Sequence, residues 1–272
     1  MAATLRVVSW NIRAGIGPGP FPDRWWRHID ADRLRAIGVL LSDLDADLIG
    51  LQEVALLSRD GDLVDNAGDL ARQLETDVRY GAVRTFDVVE TEALVGTGLF
   101  GNALLARVPI RSVRTVPLPM APADAFVEPP DSDHPAAGVR YADAPSTIRE
   151  PRCLLLAELG GLRVGSAHFS HVGAGERLLQ ARATVDSFAD APAALLVGDL
   201  NAAVDAPELA PLADWTDAFA EPPGDASRVS TDEGWRIDQV LGRGVRVRGA
   251  RVLREAGALS DHYPVVAEVL VP

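Results

Sequence analysis

The residues of this 272-residue chain that could do chemistry stand at the ends of its apolar stretches. Asn11 follows residues 5–10, Glu53 follows residues 47–51, and Asn102 opens a stretch after Gly101. His168 closes Ser166-Ala167-His168, and Asp199 and Asn201 close Val197-Gly198-Asp199-Leu200-Asn201. Asp238 lies in Arg236-Ile237-Asp238-Gln239-Val240, and Asp261 and His262 precede the last apolar run. An apolar strand ending in carboxylates, amides and imidazoles must turn them towards water or a ligand, because a buried polar group without a partner is costly. Carboxylate and amide oxygens are hard ligands suited to Mg²⁺ or Mn²⁺. Imidazole polarises a phosphoryl oxygen or moves a proton near neutral pH, and Asn NH₂ groups donate to phosphate oxygens. Metal-assisted hydrolysis of a phosphate ester is the chemistry that fits these groups. Other routes are closed: there is no Lys for a Schiff base, and the single Cys153 excludes a disulfide framework or a CxxC zinc site.

The elements that must position these groups alternate between short strands and amphipathic helices. Residues 5–10, 47–51, 78–86, 102–107, 110–116 and 193–197 read as strands, as do 236–241, 245–253 and 265–270. Residues 153–159 and 162–168 read as a hairpin, because Gly160-Gly161 is a two-residue turn signal. Helices are expected over 30–44, where Leu34, Ile37, Leu40, Leu41 and Leu44 repeat at helical spacing behind Asp30, and over 66–74 and 175–188. This pattern predicts an α/β fold in four α/β/β/α layers: two mainly antiparallel β-sheets flanked by helices. One domain spanning 1–272 is expected, with a Pro-rich acidic insertion at about 117–151 that carries eight prolines and six acidic residues.

The charge balance is lopsided: 39 acidic residues oppose 26 basic ones, all Arg, for a net charge of −13. That excludes a non-specific nucleic-acid coat, which would want a basic footprint. No apolar run is long enough to span a membrane, and no signal peptide is visible at Met1–Arg6. A cytoplasmic monomer is the expectation.

Ser9-Trp10-Asn11, Leu51-Gln52-Glu53-Val54, Gly101-Asn102-Ala103-Leu104-Leu105, Gly198-Asp199-Leu200-Asn201, Ile237-Asp238 and Ser260-Asp261-His262-Tyr263-Pro264-Val265 together resemble the endonuclease/exonuclease/phosphatase superfamily, which has the deoxyribonuclease-I-like fold. The motifs occur in the family's order and span nearly the whole chain. The resemblance implies that Glu53 is the principal ligand of a Mg²⁺ or Mn²⁺ ion, helped by Asn11 and Asp261. It makes Asp199 the group that orients or deprotonates the attacking water. Asn201 would hold the phosphate, and His262 would contact the phosphoryl oxygen with Asp238 fixing its tautomer. His168 aligns with a second histidine that some members use as a phosphate contact or acid. Asn102 would orient a catalytic group or the phosphate, and Arg152 would approach the phosphate or form an outward salt bridge.

Flanking residues bear on the branch. Glu53 is followed by Val54-Ala55, unlike the abasic-site endonucleases, and Asn201 by Ala202-Ala203, unlike the inositol phosphatases. Leu-Gln-Glu-Val and Ser-Asp-His-Tyr-Pro-Val look closer to the sphingomyelinase-like and bacterial phosphodiesterase branch. The resemblance thus implies a phosphodiesterase acting on a small molecule or lipid headgroup. The alternatives are a nuclease, disfavoured by the acidic balance, and a catalytically silent binding protein on the same fold. Among the remaining residues, His171, His28 and His134 read as surface groups. Trp25-Trp26 reads as a hydrophobic plug over the following helix, and Arg246 and Arg248 as one solvated face of a strand.

Overall fold

The computed structural model describes residues 3–59, 61–90, 93–121, 150–220 and 228–271. The first strands carry the first sheet: β1 (Ala3–Asn11), β2 (Leu48–Arg59), β3 (Asp62–Asp65), β4 (Asp77–Glu90) and β5 (Ala93–Ala106). The second sheet is built from β6 (Arg111–Pro117), β7 (Cys153–Leu159), β8 (Leu162–His168), β9 (Ala194–Asp199), β10 (Thr216–Asp217) and β11 (Asp238–Arg243). The chain then returns to the first sheet with β12 (Arg246–Val252) and β13 (Val265–Val271). The strand orders are β12-β13-β1-β2-β5-β4, with β3 beside β2, and β10-β11-β9-β8-β7-β6. Both sheets are mainly antiparallel, and each holds one parallel pair, β1 with β2 and β8 with β9.

Among the described residues, three α-helices complete the layers: α1 (Ala31–Asp43), α2 (Asn66–Leu74) and α3 (Ala174–Ser187). The first two are started by side-chain caps. The Asp30 carboxylate accepts from the Asp32 and Arg33 amides, and that of Asp65 from the Gly68 amide, which satisfies N–H groups a helix cannot pair internally. Three apolar cores follow the layering. Val7, Leu48 and Leu104 of the first sheet meet Leu155, Leu195 and Val240 of the second. Trp10, Ile49 and Leu105 on the other face of the first sheet meet Ile37, Leu41 and Leu70 of α1 and α2. Leu154 and Leu196 on the outer face of the second sheet meet Ala181 of α3 and Phe188 beyond it. The expected four-layer architecture is therefore the one found.

The differences lie at strand ends. The expected stretch 47–51 continues through Glu53 to Arg59, and 78–86 and 102–107 are parts of two paired 14-residue strands. Gly96, Gly98 and Gly101 disguise β5, because glycine weakens a strand. Gly98 lies opposite Phe86, whose ring would lie 2.2 Å from a Cβ at that position. The aromatic covers the glycine and restores the packing it lacks. The edge strands β3 and β10 were not expected; they are short. Most of the Pro-rich stretch, 122–149, and His134 with it, lies outside the described residues. At its two ends the Leu118 amide donates to the Arg152 carbonyl, 2.9 Å. No helix among the described residues is long and apolar enough to cross a membrane.

Candidate active site

Strand register brings the polar residues together. His168 on β8 lies opposite Asp199 on β9, which lies opposite Asp238 on β11. In the first sheet Asn11 on β1 pairs with Gln52 on β2. Residues directly opposite share a face, so His168, Asp199 and Asp238 form one row. β2 then breaks its ladder: Leu51 pairs with Ala103 but Val54 with Gly101, so Gln52 and Glu53 together face Asn102. This bulge holds Glu53 at φ +53°, left-handed backbone that a non-glycine residue adopts only under constraint. Asn201 (+49°) and Arg13 (+48°) share that conformation. Such residues gather where a side chain must be aimed against local preference.

The aimed groups meet in one cavity of about 600 Å³, lined among others by Glu53, Arg152, His168, Asp199, Asn201 and His262. His262 Nδ1 lies 2.8 Å from Asp238 Oδ2. Its Nε2 lies 3.7 Å from Asp199 Oδ2, to which His168 Nε2 comes within 3.4 Å. The Asn11 Nδ2 donates to Glu53 Oε1 (3.0 Å) and to Asp199 Oδ2 (3.2 Å), while its Oδ1 accepts from the Arg13 amide. The Asn201 amide donates to Asp199 Oδ1, and its side chain to the Phe169 carbonyl. Asp261 pairs with the Arg13 guanidinium at 3.2 Å.

The electrostatics divide the two imidazoles. Burial and the Arg152 guanidinium hold His168 well below the usual imidazole range. It is neutral, and its Nδ1 accepts from Arg152 Nη1 at 3.0 Å, which leaves the Nε2 hydrogen facing Asp199. Burial would lower His262 too, but the Asp238 and Asp199 carboxylates override it and raise it well above that range. Burial pushes Asp199 up to about 7 against the pull of His262, and it raises Glu53 despite the Asn11 hydrogen bond. Titratable neighbours driven in opposite directions mark acid and base roles.

A cation fits beside Glu53. Its Oε2 is buried with no hydrogen-bond partner, an acceptor that a divalent ion would satisfy. Asp199, Asp238 and His262 also bring three ligand atoms within 4.8 Å of one another. There, however, a protonated His262 has no lone pair to offer a metal.

The sequence profile of the Endonuclease/Exonuclease/phosphatase family matches residues 8–262. The chain belongs to this family. Endonuclease/exonuclease/phosphatase proteins are phosphoric ester hydrolases that generally use divalent metals, and this member is a hydrolase of phosphate esters. No curated protein matches it in sequence. Among solved structures it is similar to an endonuclease/exonuclease/phosphatase from Beutenbergia cavernae. They share 21% identity at a TM-score of 0.64, over 98% of this chain and 72% of that one. It is also similar to the mannosyl-6-phosphatase of Bacteroides thetaiotaomicron (18%, TM-score 0.62, 98% and 100% covered). A humanized D. rerio TDP2 gives 16% and 0.58, with 98% of each chain covered. At these identities the likeness is one of fold.

The structure of this family member moves some expected residues. Asn102 does not line the cavity; its Nδ2 donates to the Cys153 and Ser166 carbonyls, 3.0 and 3.3 Å away. With Gln52, whose Nε2 donates to Ser166 Oγ, it stitches the two sheets beneath the row of His168, Asp199 and Asp238. Asn102→Ala removes two buried hydrogen bonds and is expected to lower folding stability by about 1–3 kcal/mol. Urea denaturation would measure this, and kcat of the folded variant should stay within about twofold of wild type on the same reasoning. Asn11 turns its NH₂ rather than its oxygen to Glu53, so in this arrangement it orients that carboxylate.

His171 is not a plain surface group: it is half-buried, lines the cavity and lies 3.1 Å from Arg152 Nη2. Arg152 points inwards to both imidazoles and to Glu150. Trp25 packs on Phe86 and Phe100 of the long β4–β5 hairpin rather than over α1. His28 and the Arg246–Arg248 face are exposed, as expected. Sequence reasoning missed Arg13, Arg84 and Glu150; Arg84 and Glu150 line the cavity and pair with each other at 2.7 Å.

Proposed function

We propose that this single catalytic domain is a phosphodiesterase that uses Mg²⁺ or Mn²⁺ on a small-molecule or lipid-headgroup ester. The observation that carries the reading is the row His168–Asp199–Asp238 with His262, converging on one cavity beside the unpartnered Glu53 Oε2. Glu53 would hold the ion, with Asp261 near enough to raise its pKa and Asn11 fixing its Oε1. When bound, the ion supplies Lewis-acid charge at the phosphoryl oxygens.

The chain's own groups do the rest. Asp199, poised at about 7, accepts a proton from the attacking water. Asp238 holds the Nδ1 side of His262, so the Nε2 hydrogen of the imidazolium faces the cavity and donates to the phosphoryl oxygen as negative charge develops. His168, kept neutral by Arg152, faces Asp199 with its Nε2 hydrogen and steadies that base; as the P–O ester bond breaks, the leaving oxygen takes a proton from solvent, and Asp199 later returns the water's proton to solvent. Asn201 and Arg152 orient the phosphate. A cavity of this size suits a small ligand.

The test is a substrate panel with Mg²⁺ or Mn²⁺: bis(p-nitrophenyl) phosphate, sphingomyelin, inositol phosphates, plasmid DNA and an abasic duplex. Turnover of the chromogenic diester with little DNA cleavage is expected. Rapid plasmid cleavage without diester turnover would overturn the proposal in favour of the nuclease.

A further inference from the structure

One wall of the cavity is left unused by the hydrolytic groups. Phe21 lines it and is 44% exposed, so its ring is open to whatever occupies the cavity. The ring is nevertheless fixed. The Arg13 guanidinium lies over it, 5.1 Å from the centroid, and Trp25 meets it edge-on at 5.8 Å. Trp25 is anchored in turn on Phe100 and Phe86. Arg13 is itself held by Asp261 and by the Gly17 carbonyl.

The connection carrying these residues, from β1 to α1, runs through left-handed backbone at Arg13, Ala14 and Arg24, none of them glycine. That conformation persists only where surrounding contacts enforce it. The same segment therefore ties Asp261, beside the proposed metal, to an aromatic face in the cavity.

We infer that Phe21 is a stacking platform for a planar aromatic ring carried on the phosphate ester, so that this segment selects aryl or heteroaryl esters over alkyl ones. The inference rests on the phosphodiesterase reading above and names its substrate class. A flat ring matches a fixed ring face. A quaternary ammonium, the other ligand drawn to aromatic faces, meets the Arg13 guanidinium already lying over this ring; carboxylates also line the cavity, so phosphocholine is the competing ligand in the test.

Isothermal titration in Mn²⁺ buffer with phenylphosphonate, methylphosphonate and phosphocholine tests this without chemistry. Wild type should bind phenylphosphonate on the order of tenfold more tightly than methylphosphonate, the scale of one aromatic stack, with phosphocholine no tighter than methylphosphonate. Phe21→Ala should bring the phenyl-to-methyl ratio to within about twofold while methylphosphonate affinity holds, and Phe21→Tyr should keep the preference. Equal binding of the two phosphonates by wild type, or a preference that survives Phe21→Ala, overturns the platform and leaves the hydrolytic reading intact. Preferred binding of phosphocholine overturns it in favour of a cationic headgroup. No binding of any phosphonate by folded, Mn²⁺-supplied protein overturns the phosphate site itself, and the platform with it.

Discussion

Replacing His262 by Ala is expected to lower kcat by about 10²- to 10⁴-fold, the range for removing a positioned proton donor, while leaving Mg²⁺ affinity nearly unchanged. The ring is charged because Asp238 and Asp199 surround it, so the variant loses both the donor and the positive charge next to the phosphoryl group. Asp238→Asn should fall in the same range, because it removes the carboxylate charge that keeps His262 protonated and anchors Nδ1 at 2.8 Å. The double variant should be little worse than either single one, since residues acting as a unit are not additive. Stability separates this from simple damage. Asp238 is fully buried and its Oδ1 already lacks a partner, so His262→Ala alone leaves an uncompensated carboxylate and should lower Tm. Adding Asp238→Asn should recover Tm but not activity. Steady-state kinetics with thermal denaturation would decide, and near-normal kcat in folded His262→Ala would remove His262 from the mechanism.

Much of this arrangement is legible in the sequence. A polar residue at the end of an apolar run has few places to go, and Asn11, His168, Asp199, Asp238 and His262 all went to the same place. Sequence order and strand ends are local information, and register then does the rest: β8, β9 and β11 align three of these residues in one row. What stayed hidden depends on long-range contact. Arg84 sits in an ordinary alternating strand, and nothing near it in sequence says that Glu150 lies opposite. Asn102 looked like a site residue because it stands beside a glycine at a motif. It faces the β2 bulge instead, where the two sheets come close and backbone carbonyls need a donor. Gly101 answers to a contact within the first sheet: a Cβ there would lie 2.0 Å from the Gly81 carbonyl oxygen on the neighbouring β4. The position of Trp25 is hidden for a similar reason. The hairpin it covers is longer than its glycines suggested.

Glu53→Gln should abolish metal-dependent turnover, by roughly 10³-fold given the several kcal/mol a Lewis acid contributes, and yet make the metal-free protein no less stable above neutral pH. Glu53 is buried, its Oε2 is unpartnered, and burial raises its pKa above 4.5. A carboxyl with a raised folded pKa favours folding fully only below its unfolded value. Stability then falls as pH rises from about 4.5 through the folded pKa, with a limiting slope of about 1.4 kcal/mol per pH unit. Asp199, raised from 3.8 to about 7, has the same sign and is present in both proteins, so the difference between wild type and variant isolates Glu53. Saturating Mg²⁺ should reverse the order. Wild type gains RT ln(1 + [L]/Kd), about 2.7 kcal/mol at a hundredfold excess over Kd, and the variant gains little because Gln offers a neutral amide where the ion needs charge. Thermal melts from pH 5 to 9, with EDTA and with Mg²⁺, would show wild type crossing the variant only when metal is present. Equal Mg²⁺ stabilisation of both proteins would move the ion away from Glu53 and towards the Asp199–Asp238–His262 cluster.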